Sequence, residues 1–230
     1  MLKLSPDRAV LTKQVEMLRV FAPSGRVPAV LSADTEAGAM VLEEILPGTE
    51  AEDLPPASLP QLWGELLAAL HAVRPPTHGP RDLRGRATRP SPGSAGGCPN
   101  RPSARGSTSP RGSGRYSAAR RLLDTQASIV LLHGDLHLGN VLDGGPSRGL
   151  VVIDPKACLG DPCFDAVDYV VAGAGFEGVE ARCQRMAATC GLDGDRLYAW
   201  SRVIASMVAV AHLTYDGPEP AIDELLALAR

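Results

Sequence analysis

The chain has 230 residues, 44% of them hydrophobic and only 4% aromatic, with a formal net charge of -3. That length fits one large domain or two small ones, with a core built mainly from Leu, Val, Ala and Ile. The acidic balance excludes a general nucleic-acid binder, which carries a strongly basic face.

Taken in order, Leu2-Lys3-Leu4 reads as the end of a strand closed by Ser5-Pro6-Asp7. Residues 8–21 follow at helical spacing, with Val10, Leu11, Val15, Leu18 and Phe21 as the apolar positions. Two short strands are predicted next, over 27–31 and 39–45, the second ended by Pro47-Gly48. From Ser58, a candidate N-cap, Leu62, Trp63, Leu66, Leu67, Leu70 and Val73 make one helical face that Pro75-Pro76 stops. The stretch over 88–115 is dominated by Gly, Pro, Ser, Arg and Ala and lacks Leu, Ile, Val, Met and aromatic side chains, so disorder is predicted there. Order resumes with the end of a helix over 118–124 and an apolar strand over 129–132. A hairpin follows, with strands at 141–142 and 150–153 joined by the Gly-rich turn Asp143-Gly144-Gly145-Pro146-Ser147-Arg148-Gly149. Helices are predicted over 165–171, 179–190 with Gly191 as its C-cap, 196–213 and 221–228. Five cysteines at irregular spacing (Cys98, Cys158, Cys163, Cys183, Cys190) form no CxxC pair, so free thiols in a reducing cytoplasm are expected. No apolar leader and no long unbroken apolar run is apparent, so neither secretion nor a membrane span is expected.

The chemistry concentrates in His133-Gly134-Asp135-Leu136-His137-Leu138-Gly139-Asn140 and in Asp154, at the end of the following hairpin. The spacing H-x-D-x-x-x-x-N is that of a kinase catalytic loop, where the Asp accepts the proton of the attacking hydroxyl and the Asn returns a neutral oxygen to magnesium. A carboxylate after the hairpin, as at Asp154, suits the same ion, because hard oxygen ligands suit magnesium and phosphates and water complete its octahedron. A metal cluster of His133, Asp135 and His137 is disfavoured, since alternate residues of a loop seldom converge. A metallophosphatase reading lacks the D-x-H, G-N-H-[DE] and G-H-x-H elements. His133 is expected to brace the loop, and Asp161 and Asp165 to cap and brace the helix that follows.

With HGDLHLGNVL followed by VVIDPKACLGDPCFDAVDYV, the chain resembles the aminoglycoside phosphotransferases, most nearly their streptomycin 6-phosphotransferase and hydroxyurea-kinase branch. The resemblance is specific over 125–172, fair over 1–85, loose after 172 and absent over 88–115. It implies an α+β, protein-kinase-like fold with a truncated N-terminal lobe and a mainly helical C-terminal lobe: residues 1–45 as the remnant of the nucleotide-binding lobe, and 46–230 as the lobe carrying the catalytic loop. It implies ATP and Mg2+ as cofactors and a hydroxyl of an aminoglycoside or hydroxyurea as acceptor. Asp135 is then the catalytic base, and Asn140 and Asp154 hold the metal. Lys3 pairs with the α and β phosphates, and the backbone of Glu43, Glu44, Ile45 and Leu46 meets the adenine. Lys156 is placed to offset phosphate charge, and Glu16 is the acidic residue that could pair with Lys3. The acidic balance suits a cationic acceptor. A monomeric, cytoplasmic enzyme with no nucleic-acid or membrane partner is expected. The alternative is a kinase-like remnant that folds but transfers no phosphate.

Overall fold

A computed structural model describes residues 1–76, 82, 83, 110–215 and 217–230. The expected disorder over 88–109 and Cys98 lie outside the described residues. The class is α+β, as expected. Strand β1 (Leu2–Leu4) leads into α1 (Arg8–Phe21), whose N-cap Asp7 accepts a hydrogen bond from the amide of Val10 at 3.1 Å. β2 (Val30–Asp34) and β3 (Ala39–Leu42) complete an antiparallel sheet in the order β1-β3-β2, with Lys3 opposite Met40. The amphipathic face of α1 (Leu11, Val15, Leu18, Phe21) and Met40 and Leu42 of β3 are buried together.

β2 lies further along the chain than the predicted 27–31. Val27 and Pro28 are buried but unpaired in the sheet: Pro28 has no amide to offer, and the carbonyl of Val27 accepts from Arg148 Nη2 at 2.6 Å. β3 ends at Leu42, so residues 43–45, predicted as strand, form the connection to the rest of the chain.

Helix α2 (Leu59–His71) buries Trp63, Leu66, Leu67 and Leu70, as its spacing predicts. Ser58 occupies the N-cap position without capping, since its hydroxyl donates instead to the carbonyl of Pro55 at 2.9 Å. The Trp63 ring lies 4.7 Å from that of Tyr169. Helix α3 spans Pro110–Asp124, so residues 110–115, predicted as disordered, are helical. β4 (Val130–Leu132) pairs with β7 (Cys158–Gly160), a strand too short to show periodicity in the sequence. β5 (Val141–Asp143) pairs with β6 (Leu150–Val152) as the expected hairpin.

Helices α4 (Cys163–Val171), α5 (Val179–Cys190), α6 (Gly194–Thr214) and α7 (Glu219–Leu228) complete the chain, and Gly191 closes α5 in the left-handed conformation (φ 65°). By length and composition α6 is apolar enough to cross a membrane. It packs against α3, α4, α5 and α7 and buries Leu197, Trp200, Ala205 and Ala209, while Met207, Val210 and Leu213 are exposed. Cys158, Cys163, Cys183 and Cys190 are free thiols, and burial pushes that of Cys163 up to about 12.

Candidate active site

β4 delivers the chain into the His133–Asn140 loop, and a 3-10 turn, Leu138–Asn140, hands it on to β5. The loop is held from below by Asp165 on α4. One carboxylate oxygen accepts the His133 amide at 2.7 Å and the other accepts the Gly134 amide at 2.9 Å. His71, at the end of α2, contacts the same carboxylate at 3.2 Å. Burial alone would raise the pKa of Asp165; the hydrogen bond and charge of His71, the charge of His133 and the Gly134 amide outweigh it and hold the carboxyl below its ordinary value. Gly134 has φ 80°, which lets the backbone bring two successive amides onto one carboxylate.

His133 is fully buried, and burial lowers its pKa despite the nearby carboxylates. Its Nε2 donates to the carbonyl of Ile153 at 3.0 Å, which ties the loop to the end of β6, while its Nδ1 is buried with no hydrogen bond. The Lys156 amide donates to the His133 carbonyl at 2.9 Å and the Ile153 amide to that of Asn140 at 2.9 Å, so loop and hairpin exit are laced together. Asp161 binds elsewhere: it accepts the Cys163 amide at 3.0 Å and the Trp200 indole at 2.7 Å and pairs with Arg196, fixing α4 to α6.

Within this frame the sequence-predicted residues converge. Asn140 Nδ2 donates to the Asp135 carbonyl at 2.8 Å and lies 3.4 Å from its carboxylate. That orientation leaves Asn140 Oδ1 without a donor among the described residues. Asp154 sits at φ 56°, the one non-glycine residue with positive φ among those described, and forms an ion pair with Lys3 across 151 positions of sequence. Lys156 pairs with Asp135 at 2.7 Å. Glu16 is exposed on α1, and among the described residues the ion-pair partner of Lys3 is Asp154 rather than Glu16.

The predicted hinge is only partly open to a ligand. The Glu43 amide is committed to the Ala29 carbonyl at 2.9 Å, and its side chain accepts the Ala29 amide at 2.9 Å and Arg148 Nη1 at 2.7 Å. Those contacts, the Ala29 amide first and then Arg148, hold the Glu43 carboxyl below its ordinary value. The amides of Glu44, Ile45 and Leu46 make no hydrogen bond among the described residues; Leu46 is 70% exposed, while Ile45 is buried.

Three participants were not anticipated. Arg148, in the hairpin turn, reaches Glu43 and also donates to the carbonyls of Gly25 at 3.0 Å and Val27 at 2.6 Å. His71 supports Asp165. Asp168, one turn after Asp165, has its pKa pushed up to about 6 by burial and then by the charges of Asp135 and Asp165. An acidic residue in the otherwise apolar run of α4 was the available signal for Asp168; no pattern marked the other two.

No group of three or more His, Cys, Asp or Glu able to hold a metal occurs among the described residues. Asp154 and the unengaged oxygen of Asn140 are two hard donors, which fits magnesium only where phosphate oxygens and water supply the rest. A cleft of about 320 Å³ is lined by Arg26, Leu62, Glu65, Asp143 and the 145–149 turn, and none of Lys3, Asp135, Asn140 or Asp154 lines it.

Residues 1–202 match the sequence profile of the Phosphotransferase enzyme family. Among characterised proteins, the streptomycin 3''-kinase of Klebsiella pneumoniae is 36% identical over 98 residues, 36% of this chain and 35% of that protein. The hydroxyurea phosphotransferase of Kitasatospora aureofaciens is 38% identical over 104 residues, 40% of this chain and 30% of that one. The matched region is thus about a third of the length of each. A choline/ethanolamine kinase family protein from Mesorhizobium loti superposes with a TM-score of 0.62 at 19% identity, covering 99% of this chain and 81% of that one. The aminoglycoside phosphotransferase APH(3'')-Id from Streptomyces rimosus, solved with ADP and streptomycin, gives a TM-score of 0.56 at 19% identity, over 88% and 84% of the two chains. These likenesses establish the kinase-like fold.

Proposed function

Since the chain belongs to the Phosphotransferase enzyme family, we propose that it transfers the γ-phosphoryl group of ATP to a hydroxyl of a small antibiotic-like acceptor, of the streptomycin or hydroxyurea type. The observation that carries this reading is the meeting of Lys3, Asp135, Asn140, Asp154 and Lys156, drawn from β1, the loop after β4 and the exit of β6. Phosphoryl transfer needs little covalent chemistry from the protein and depends on positioning and charge stabilisation, and these residues can supply both.

In this reading the acceptor hydroxyl docks against Asp135. Its oxygen attacks the γ-phosphorus in line, the bond to the bridging oxygen of the β-phosphate breaks, the proton passes to the Asp135 carboxylate, and ADP leaves. Asn140 holds the Asp135 carbonyl, and Asp165 holds the two residues before Asp135, so the base stands in one place. Lys3 leaves Asp154 for the α and β phosphates as the nucleotide enters. Bound magnesium would be held by Asp154 and Asn140 and would neutralise charge between the β and γ phosphates. The unengaged amides of Glu44, Ile45 and Leu46 offer the adenine its backbone contact.

The acceptor class draws support from the two characterised relatives, streptomycin 3''-kinase and hydroxyurea phosphotransferase, whose matches reach about a third of their lengths. The test is incubation of the purified chain with ATP, Mg2+ and a panel holding streptomycin, other aminoglycosides, hydroxyurea and choline, with ADP release and product mass as readouts. Phosphorylated streptomycin or hydroxyurea is the expected product. Phosphorylated choline with no antibiotic product would overturn the acceptor assignment, and no ADP release with any acceptor would overturn the activity.

A further inference from the structure

The two carboxylates closest to the proposed chemistry each hold a lysine: Lys3 on Asp154 and Lys156 on Asp135. The site is thereby neutralised by its own side chains. Loading it with an anionic nucleotide and a hydroxyl acceptor brings competing partners to both pairs. For Lys3 the new partner is part of the reading above. For Lys156 the pairing poses a separate question, because an ammonium at 2.7 Å from the Asp135 carboxylate makes that group a weaker acceptor for the hydroxyl proton.

Lys156 is well built for an exchange. Its backbone is anchored, since its amide donates to the His133 carbonyl at 2.9 Å, two residues before Asp135. Its side chain is 45% exposed, so the ammonium can swing without leaving a buried position. A lysine is a compact charge on a flexible stem and tolerates a change of partner better than an arginine fork does. It also stands two residues after Asp154, on the segment where the end of the phosphate chain must lie if Asp154 contacts the metal.

We infer that Lys156 is a partner-exchanging cation, paired with Asp135 in the nucleotide-free site and with the terminal phosphoryl group of ATP in the loaded one. This rests on the reading of the site as an ATP phosphotransferase. It adds that Asp135 and the γ-phosphoryl group compete for one ammonium, which gives the site a means of telling ATP from ADP. Because the competition is a coupling between two binding events, it must act in both directions.

The test is nucleotide binding to the full chain, measured by calorimetry with ATP and ADP in the presence of Mg2+. Lys156→Gln is expected to weaken ATP binding by roughly 5- to 10-fold, the size expected of one partly screened ion pair, with ADP binding unchanged. Asp135→Ala releases the lysine and is expected to tighten ATP binding by about the same factor, again without effect on ADP. Lys156→Arg keeps the charge and restores most of the ATP preference, and the double variant behaves like Lys156→Gln. All the ATP effects shrink in high salt. Equal changes for ATP and ADP, or an Asp135→Ala variant whose ATP affinity does not rise, would overturn the exchange while leaving the phosphotransferase reading intact. A wild-type chain that binds neither nucleotide would overturn both.

Discussion

Replacing Asp165 with Ala removes the acceptor for two consecutive backbone amides, those of His133 and Gly134, both buried and both bonded to this carboxylate at under 3 Å. A buried donor left without a partner costs about 1–3 kcal/mol. Two such donors, with the His71 contact also lost, give an expected destabilisation of roughly 3–6 kcal/mol. A domain has about 5–15 kcal/mol in all, so Asp165→Ala should be marginally folded. Asp165→Asn keeps one acceptor oxygen and should lose about half as much. The pH dependence carries the sign. The carboxyl is held below its ordinary value in the folded chain, so its contribution is present above the unfolded value near 3.9 and disappears as pH falls through the depressed folded value. Urea unfolding followed by circular dichroism at about pH 7 and about pH 3 measures both effects. A loss below about 1 kcal/mol for Asp165→Ala at neutral pH, or a gap between wild type and Asp165→Asn that does not narrow in acid, would refute the claim that this carboxylate holds the loop.

Arg148→Ala cuts the guanidinium's bonds to Glu43, Gly25 and Val27; with the side chain partly exposed, a loss of about 1–3 kcal/mol is expected, together with a raised KM for ATP as the 44–46 connection loosens. A thermal melt and ATP titration check this, and a KM equal to wild type would separate the clamp from nucleotide binding. Asp168→Asn should stabilise the chain in a pH-dependent way. Its folded pKa is raised from 3.8 to about 6, so the folded state binds the proton more tightly than the unfolded one, and the advantage of the protonated carboxyl is lost as pH rises through about 6. The substitution relieves roughly 3 kcal/mol above pH ~7 and nothing near pH ~3; a pH-independent gain in urea titrations would contradict the assignment. Gly149→Ala places a methyl on a φ 67° backbone directly against Arg26 Nη1, so a loss of about 1–3 kcal/mol is expected in the same unfolding assay.

The site was legible where chemistry is local in sequence. The H-x-D-x-x-x-x-N loop and the hairpin ending in Asp154 lie side by side, laced by the bonds of Ile153 to His133 and Asn140, because short strands flanking tight turns constrain where the side chains land. Helical periodicity placed α1, α2 and α5 closely for the same reason. Contacts that join distant segments were not legible. Nothing in the sequence links Lys3 to Asp154, His71 to Asp165 or Arg148 to Glu43, since such pairings depend on tertiary packing and leave no period. Strand ends were misjudged where a side chain or a proline took over from the sheet: at Pro28, which has no amide to pair, and at Glu43, whose carboxylate turns to Arg148.

The central claim is that Asp135 receives the proton of the acceptor hydroxyl, and the most direct measurement is the rate of γ-phosphoryl transfer to streptomycin by wild type and Asp135→Ala at saturating ATP. Loss of a general base costs about 10²–10⁴-fold, and a fall of that size with the chain still folded and still binding ATP is the predicted result. Transfer by Asp135→Ala at the wild-type rate would contradict the account.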